Sequence, residues 1–367
     1  MRRTQAHYAK CAACLTWSVC ATWCMAFIMK NDDTRSLFFD NLKAVLILLV
    51  VLGHTIEPIL TGKMKIIYLF IYSFHMPLFA FCSGYFSKFD PGKILKDLIY
   101  PFVVFQILYC LFEKFYLGNP YATIQFTTPY WIMWYLFALV VWTLILPVIE
   151  PGTNSNKGIL IITCISLALG IISGFDKTLG YYMSLSRIFY FLPFFITGFC
   201  IRKVIDTETF QSIASKRYIR YISGALSVLV IVGISLNYQQ IDVRWLYGSF
   251  TYELEGYTIF IRLLSYLTAF SISIFLMSVA PKRKRFYTYI GQRSLQIYLL
   301  HGFLMRLILK MNIYNYVQNQ YFRLLLSCAI SIIIVIILSS GLIKRILNPL
   351  FSIRCLDQNY RKIPPSP

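Results

Sequence analysis

A histidine and a glutamate one helical turn apart are the first residues of this sequence that could do acid–base chemistry. His54 and Glu57 lie in a strongly apolar stretch, and Lys43 precedes His54 by eleven residues. On an α-helix eleven residues make three turns plus about 20°, so all three side chains share one face. An imidazole beside a carboxylate in a dry cavity can act as a general base towards a hydroxyl group. We therefore predict His54 as the base, with Glu57 and Lys43 in support, although Lys43 would also suit an interfacial anchor.

Three further ionisable residues lie in apolar stretches, where such groups are costly and are therefore candidates for function. His75 shortly precedes Pro77, His301 lies in a late apolar stretch, and Arg187 opens another one. We predict His75 and Arg187 as further groups of the catalytic cavity, with Arg187 stabilising an oxyanion or holding a substrate. His301 is assigned to substrate binding. The alternatives are satisfied core histidines and, for Arg187, an interfacial anchor.

Aromatic and basic residues suggest contacts with an acceptor and a donor. Trp131, Trp134 and Tyr135 predict either an aromatic belt at a membrane interface or a surface that stacks on a sugar ring. Lys93 and Lys96 lie three residues apart and could hold phosphates at the inner face of a membrane. Neither a P-loop nor a GxGxxG pattern occurs in the sequence, so a nucleotide would be bound without such a loop.

The composition indicates what kind of element must position these residues. Of the 367 residues, 58% are hydrophobic and 14% are charged, and the mean hydropathy is +0.63. Soluble domains are typically about 45–50% apolar and about 25% charged. These values exclude a disordered chain, a secreted disulfide scaffold and an ordinary cytosolic enzyme.

Ten apolar stretches after residue 40 are long enough to be membrane spans, since a helix needs about 20 apolar residues to cross a bilayer. They lie at 42–60, 66–87, 95–117, 130–149, 158–175, 185–201, 219–236, 257–280, 290–310 and 323–343. We predict an all-α integral membrane protein, a bundle of about ten transmembrane helices.

The distribution of basic residues orients these spans. The net charge is +20, and the basic residues concentrate in alternate connections, which the positive-inside rule assigns to the cytoplasm. Both ends of the ten-helix core are then cytoplasmic. Lys63 and Lys65 fall in a predicted outer connection, against this rule, and the sequence alone does not account for them.

The ends of the chain are set apart from this core. We predict an N-terminal extension at 1–35, which is either an extra apolar segment or a mis-assigned start, a transmembrane domain at 36–345 and a basic cytoplasmic tail at 346–367. Cys11 and Cys14 form a CxxC pair without a second pair at zinc spacing. The other cysteines are scattered, so we expect neither a metal site nor a disulfide framework.

Five motifs in order along the chain resemble acyltransferase family 3, whose members are integral-membrane O-acyltransferases, and in particular its fucose 4-O-acetylase-like branch. The first motif is a basic residue, ten other residues and a histidine, here Lys43 to His54, with lysine where the family usually has arginine. The others are FHMPLF at 74–79, SGYF at 83–86, the segment 187–193 and the segment 291–301.

The resemblance implies transfer of an acetyl group from cytoplasmic acetyl-CoA to a sugar hydroxyl of a capsular polysaccharide, an exopolysaccharide or another envelope glycan. It places such an enzyme in a bacterial plasma membrane, as a possible homo-oligomer, with no nucleic acid as partner. It implies His54 as the catalytic residue, with Lys43 supporting it. Lys93 and Lys96 would meet the CoA phosphates, without the bidentate contact that arginine offers.

The residues by themselves are also compatible with other functions. A proton-coupled secondary transporter or exporter of sugars or lipid-linked glycans would use intramembrane histidine and glutamate in a proton relay. A non-catalytic scaffold would explain the spans but not three histidines within them. For an enzyme, succinyl-CoA is an alternative donor, and both direct transfer and an acyl-histidine intermediate are compatible with the sequence.

Overall fold

The structure, a computed structural model, describes residues 37–351 and residue 353. Helices make up 77% of this part of the chain, which contains no strand. In chain order the helices are α1 (Leu37–Ile59), α2 (Met64–Phe86), α3 (Pro91–Tyr116), α4 (Trp134–Asn154), α5 (Asn156–Ile172), α6 (Leu185–Val204), α7 (Thr207–Ala214), α8 (Arg217–Asn237), α9 (Ile259–Val279), α10 (Thr288–Gln292), α11 (Ser294–Lys310), α12 (Gln320–Leu338) and α13 (Gly341–Phe351).

Eight helices in the described part are long and apolar enough to cross a membrane, namely α1 to α4, α6, α8, α9 and α12. The predicted class, an all-α integral membrane protein, is therefore confirmed. The two remaining predicted spans coincide with α5 and α11, which are 17 residues long. The total of ten spans and the cytoplasmic position of both ends stay predictions.

The centre of the bundle depends on close contact between α2 and α6. A Cβ atom at Gly84 of α2 would lie 1.9 Å from the carbonyl oxygen of Phe195, and one at Gly198 of α6 would lie 2.1 Å from that of Phe81. Small residues allow the two backbones to approach, which is a common way for membrane helices to pack. Both helices also contribute side chains to one cavity, His75 from α2 and Arg187 from α6.

Replacing Gly84 by valine is expected to prevent this packing. The added atoms would meet the Phe195 backbone, which cannot rotate away as a side chain can, and overpacking of a tight core typically costs about 1–3 kcal/mol or more. We expect much less folded protein in detergent by size-exclusion chromatography. Gly233→Ala is the matched control, because a Cβ there meets no heavy atom within 4 Å; equal loss in both variants would contradict this role of Gly84.

Polar side chains fix α1 at both of its ends. Near its start, the Asn41 amide donates to the Pro281 and Arg283 carbonyls at 2.9 Å, and its oxygen accepts from Thr288 at 2.6 Å. Near its other end, Thr55 and Ser331 of α12 share a hydrogen bond of 2.8 Å. These contacts set the rotation of α1 and therefore the direction in which its functional side chains project.

The predicted segment boundaries are not tested by the structure. Residues 1–35, with Cys11 and Cys14, lie outside the described residues. At the other end, α13 continues across the predicted boundary at 345 as far as Phe351, whose ring stacks on that of Phe105 at 5.8 Å.

Candidate active site

One cavity brings together most of the residues that the sequence analysis selected. It has a volume of about 80 Å³ and lies between α1, α2, α4, α6 and α11 and the connection before α9. Its lining includes His54, Glu57, His75, Trp131, Trp134, Arg187 and His301. These residues are separated by up to 247 positions in the chain, so their convergence is a product of the fold.

His54 has an acidic and a phenolic partner on the same ring atom. Its Nδ1 lies 3.5 Å from Glu57 Oε2 and 3.4 Å from the Tyr72 hydroxyl. Both distances are at the long end of hydrogen bonding, as is common in sites without substrate. With the Nδ1 proton directed at the carboxylate, Nε2 keeps the lone pair that a general base needs.

His75 and His301 present an acceptor nitrogen because their other ring nitrogen must donate. Nδ1 of His75 lies 2.7 Å from the Ile71 carbonyl, and Nδ1 of His301 lies 2.7 Å from the Tyr298 carbonyl. A carbonyl can only accept, so each ring carries its proton on Nδ1. Nε2 of His301 is buried and has no hydrogen-bond partner among the described residues, which costs about 1–3 kcal/mol and marks a place where a substrate hydroxyl could donate.

Aromatic residues at the start of α4 and in the segment just before it contact His54 and Arg187. The Trp131 ring packs edge-on against the His54 ring at 4.4 Å, and the His301 ring stacks on His54 at 5.5 Å. The Trp134 ring lies 5.3 Å from the Arg187 guanidinium. Both tryptophans therefore line the cavity, which favours a role in the site over a simple interfacial belt.

Arg187 carries a positive charge into the cavity wall, and its hydrogen-bond partners are neutral. Its Nε donates to the Tyr247 carbonyl at 3.3 Å, and Nη2 donates to the Ser249 hydroxyl at 3.5 Å. A fixed cation whose charge is not matched by these partners is suited to stabilise negative charge that develops on a substrate.

Three tyrosines of the cavity, Tyr72, Tyr247 and Tyr298, were missed by the sequence analysis. Tyr72 lies one turn before His75 on α2, so helical spacing could have found it. Tyr247 lies in the connection between α8 and α9, where no periodicity marks it, and its hydroxyl lies 2.7 Å from that of Tyr68. Burial raises the pKa of Tyr247 to about 12, so this phenol stays a neutral hydrogen-bonding group at physiological pH.

A second cavity lies beside the first and holds Lys43 and Tyr135. It has a volume of about 350 Å³ and shares Val50, Met76 and Tyr298 with the first cavity. Lys43 pairs with Asp40 at 2.8 Å, and the Tyr135 hydroxyl lies 2.8 Å from that of Ser83. The structure therefore separates Lys43 and Tyr135 from the group around His54.

Lys93 and Lys96 line neither of these cavities. Lys93 is exposed at the start of α3 and lies 3.8 Å from Asp90, and Lys96 is half-buried one turn later. Leu98 of the same helix lines the second cavity. The two lysines are thus close in sequence to the wall of that cavity without reaching into it.

Comparison with known proteins shows the family to which this chain belongs. A family model described as an acyltransferase domain matches residues 36–341. The chain belongs to acyltransferase family 3. It is 26% identical over 223 residues to nodulation protein NolL of Sinorhizobium fredii, a match covering 54% of this chain and 57% of that protein. This chain thus spans a little over half the length of that relative. No solved structure matches it significantly.

The chain thus combines a domain that the family model describes as an acyltransferase domain with eight described helices that are long and apolar enough to cross a membrane. The family resemblance read from the sequence is confirmed. Within the described residues, no group of three or more His, Cys, Asp or Glu side chains is placed to hold a metal ion, and the chemistry considered below uses side chains alone.

Proposed function

We propose that this protein is an O-acetyltransferase of the bacterial cell membrane, which moves an acetyl group from cytoplasmic acetyl-CoA to a sugar hydroxyl of an envelope glycan. One observation carries the proposal. The two cavities meet at Val50, Met76 and Tyr298, with the histidines in one and Lys43 in the other. A donor and an acceptor can therefore approach one point from opposite sides of the membrane.

The positive-inside topology supports the assignment of the two sides. Lys43, Ser87 and Ser294, which line the second cavity, lie at helix ends that this topology puts at the cytoplasm. The pantetheine arm of acetyl-CoA would enter there and bring its thioester to the junction. His54 and Glu57 lie towards the outer end of α1, where a glycan of the envelope would arrive.

The residues of the first cavity then supply each step of acyl transfer. The acceptor hydroxyl gives its proton to His54 Nε2 as its oxygen attacks the thioester carbonyl, and Glu57 stabilises the imidazolium that forms. Arg187 stabilises the oxyanion. The C–S bond breaks, the thiolate of CoA takes the proton from His54, and an O-acetyl sugar and free CoA leave. Direct transfer needs no acyl-enzyme, and it is the simpler account of one histidine with an adjacent carboxylate.

Lys93 and Lys96 are proposed to hold the CoA phosphates at the cytoplasmic mouth. Replacing both with alanine is expected to raise the KM for acetyl-CoA about 3- to 10-fold with little change in kcat, because each exposed lysine near a phosphate contributes about 1 kcal/mol or less. Initial rates with radiolabelled acetyl-CoA would measure this. Lys282→Ala with Lys284→Ala, at another cytoplasmic connection, is the matched control. An equal rise in KM in the control pair would show a general charge effect instead.

Proton NMR of envelope polysaccharide tests the proposed function in cells. A strain lacking the gene would be complemented with wild type or with His54→Gln, and both proteins checked for presence in the membrane. We expect O-acetyl signals to return with wild type alone. Unchanged O-acetyl content in all strains, with altered polysaccharide export, would favour the transporter instead.

A further inference from the structure

A third space, an apolar cleft, lies on the outer half of the bundle between α2, α8 and α9. It has a volume of about 700 Å³. Its walls include Leu69 of α2, Leu229 and Gly233 of α8, and Leu264 and Leu267 of α9. We call it the α8–α9 cleft. Nothing in the acyl-transfer steps above uses it.

The cleft opens towards the surrounding lipid. Leu229 and Leu267 are each 66% exposed, and Leu264 is 58% exposed. Only 17% of the most apolar 18-residue segment of α8 is buried inside the protein. A Cβ at Gly233 would meet no atom within 4 Å, so the helix leaves room at this point. Because the hydrocarbon core of a bilayer holds no water, a space of this kind is filled by a hydrocarbon chain.

A single residue connects the cleft with the catalytic cavity. Leu246 lines both spaces, and it ends the short 3₁₀ helix Val243–Leu246 in the connection before α9. The next residue, Tyr247, lines the catalytic cavity, and its carbonyl accepts from Arg187. A molecule whose chain lies in the cleft would therefore have its polar end beside the entrance to the His54 site.

One of the two lysines that contradict the positive-inside rule, Lys65, lies at the outer end of the cleft. Lys65 Nζ donates to the Gln239 carbonyl at 3.3 Å, and the following residues, Gln240 and Ile241, line the cleft. Arg244, at 2.6 Å, and Lys65 both lower the pKa of the Asp242 carboxyl, so these three groups together leave one net positive charge for an anionic group at this depth.

We propose that the acceptor is a lipid-linked glycan held by this cleft. Its hydrocarbon chain occupies the space between α8 and α9, its phosphate pairs with Lys65, and its sugar passes Leu246 into the catalytic cavity. This inference rests on the proposed acetyl transfer to a glycan and names the form in which that glycan arrives. Charge and continuity with the His54 site favour this occupant over a bulk phospholipid, whose headgroup has no reason to reach the cavity.

Kinetics with two forms of one glycan test the proposal. The full-length protein in nanodiscs would receive radiolabelled acetyl-CoA and either the glycolipid pool extracted from membranes of the native host or the same glycan released by mild acid. Gly233→Trp fills the cleft, while Val228→Trp adds the same ring to a lipid-facing position of α8 that does not line it. We expect kcat/KM for the lipid-linked form to fall about tenfold or more in Gly233→Trp, with no change for the released glycan or for Val228→Trp.

Photo-crosslinking gives a second readout that does not depend on a variant. A diazirine-bearing polyisoprenyl phosphate should label α8 and α9 of the wild-type protein, and unlabelled polyisoprenyl phosphate should displace it. Displacement to the same extent by phosphatidylglycerol would identify bulk lipid as the occupant and overturn the proposal.

The kinetic outcomes separate this inference from the proposed function. Equal use of both glycan forms by wild type, with no effect of Gly233→Trp, would overturn the lipid-linked acceptor while leaving acetyl transfer in place. Absence of O-acetyl transfer to either form, with His54→Gln indistinguishable from wild type, would overturn the proposed function itself. Loss of kcat/KM in Lys65→Gln, confined to the lipid-linked form, would support the phosphate contact.

Discussion

Replacing His54 with glutamine is expected to lower the rate of acetyl transfer about 10²- to 10⁴-fold, the usual contribution of a general base. Glutamine keeps much of the volume and can still hydrogen-bond to Glu57 and Tyr72, which lie 3.5 Å and 3.4 Å from Nδ1. It cannot take a proton from the acceptor hydroxyl. Steady-state rates with purified protein in nanodiscs would measure the loss, and an unchanged melting temperature would show that the fold is intact.

Two further variants show whether the loss is specific to His54. Glu57→Gln removes the charge that stabilises the imidazolium but leaves the base, so a smaller loss of kcat is expected. His301→Gln keeps a hydrogen-bonding group in the cavity, and it should raise the KM for the acceptor more than it lowers kcat. If folded His54→Gln stays active and His301→Gln loses its activity, the general base would be His301 instead.

Replacing Arg187 with lysine is expected to lower kcat about 10²- to 10³-fold, the usual effect of losing one stabiliser of an oxyanion. Lysine keeps the charge. It loses the two directed contacts, to the Tyr247 carbonyl and the Ser249 hydroxyl, and the stacking on Trp134 that hold the guanidinium in place. Rates at saturating donor and acceptor would separate this effect from weaker binding.

Arg262 of α9 offers a matched control for Arg187. It is fully buried, and it donates to the Gly170 carbonyl at 3.0 Å and to the Tyr257 hydroxyl at 2.9 Å, away from the catalytic cavity. Arg262→Lys is expected to lower the melting temperature and to leave the kcat of the folded protein nearly unchanged. A similar fall in kcat for both arginine variants would contradict a direct part for Arg187 in the reaction.

Local helix geometry explains what the sequence could predict of the site. His54 and Glu57 are neighbours because they lie one turn apart on α1, and that relation needs no knowledge of the rest of the fold. The same geometry placed Lys43 on the correct face but not in the same cavity. Eleven residues also advance about 16 Å along a helix, and this rise takes Lys43 to the second cavity.

The rest of the site depends on contacts between distant segments. His75, Arg187 and His301 were selected because ionisable groups are costly in apolar spans, yet their convergence needs the packing of α2, α6 and α11. That packing depends on positions such as Gly84, where a missing side chain lets two backbones approach. Tyr247 had no signal at all, because the connection that carries it follows neither helical nor strand periodicity.

Sealed membrane vesicles of known orientation test most directly the central claim, that the acetyl group passes from a cytoplasmic cavity to the outer His54 cavity within one protein. Inverted vesicles would be loaded with the acceptor glycan, and radiolabelled acetyl-CoA would be added outside, at the cytoplasmic face. We predict label on the trapped glycan with wild type, none with His54→Gln, and none when acetyl-CoA is supplied only at the opposite face. Equal labelling from either face, or labelling that survives in folded His54→Gln, would contradict the account.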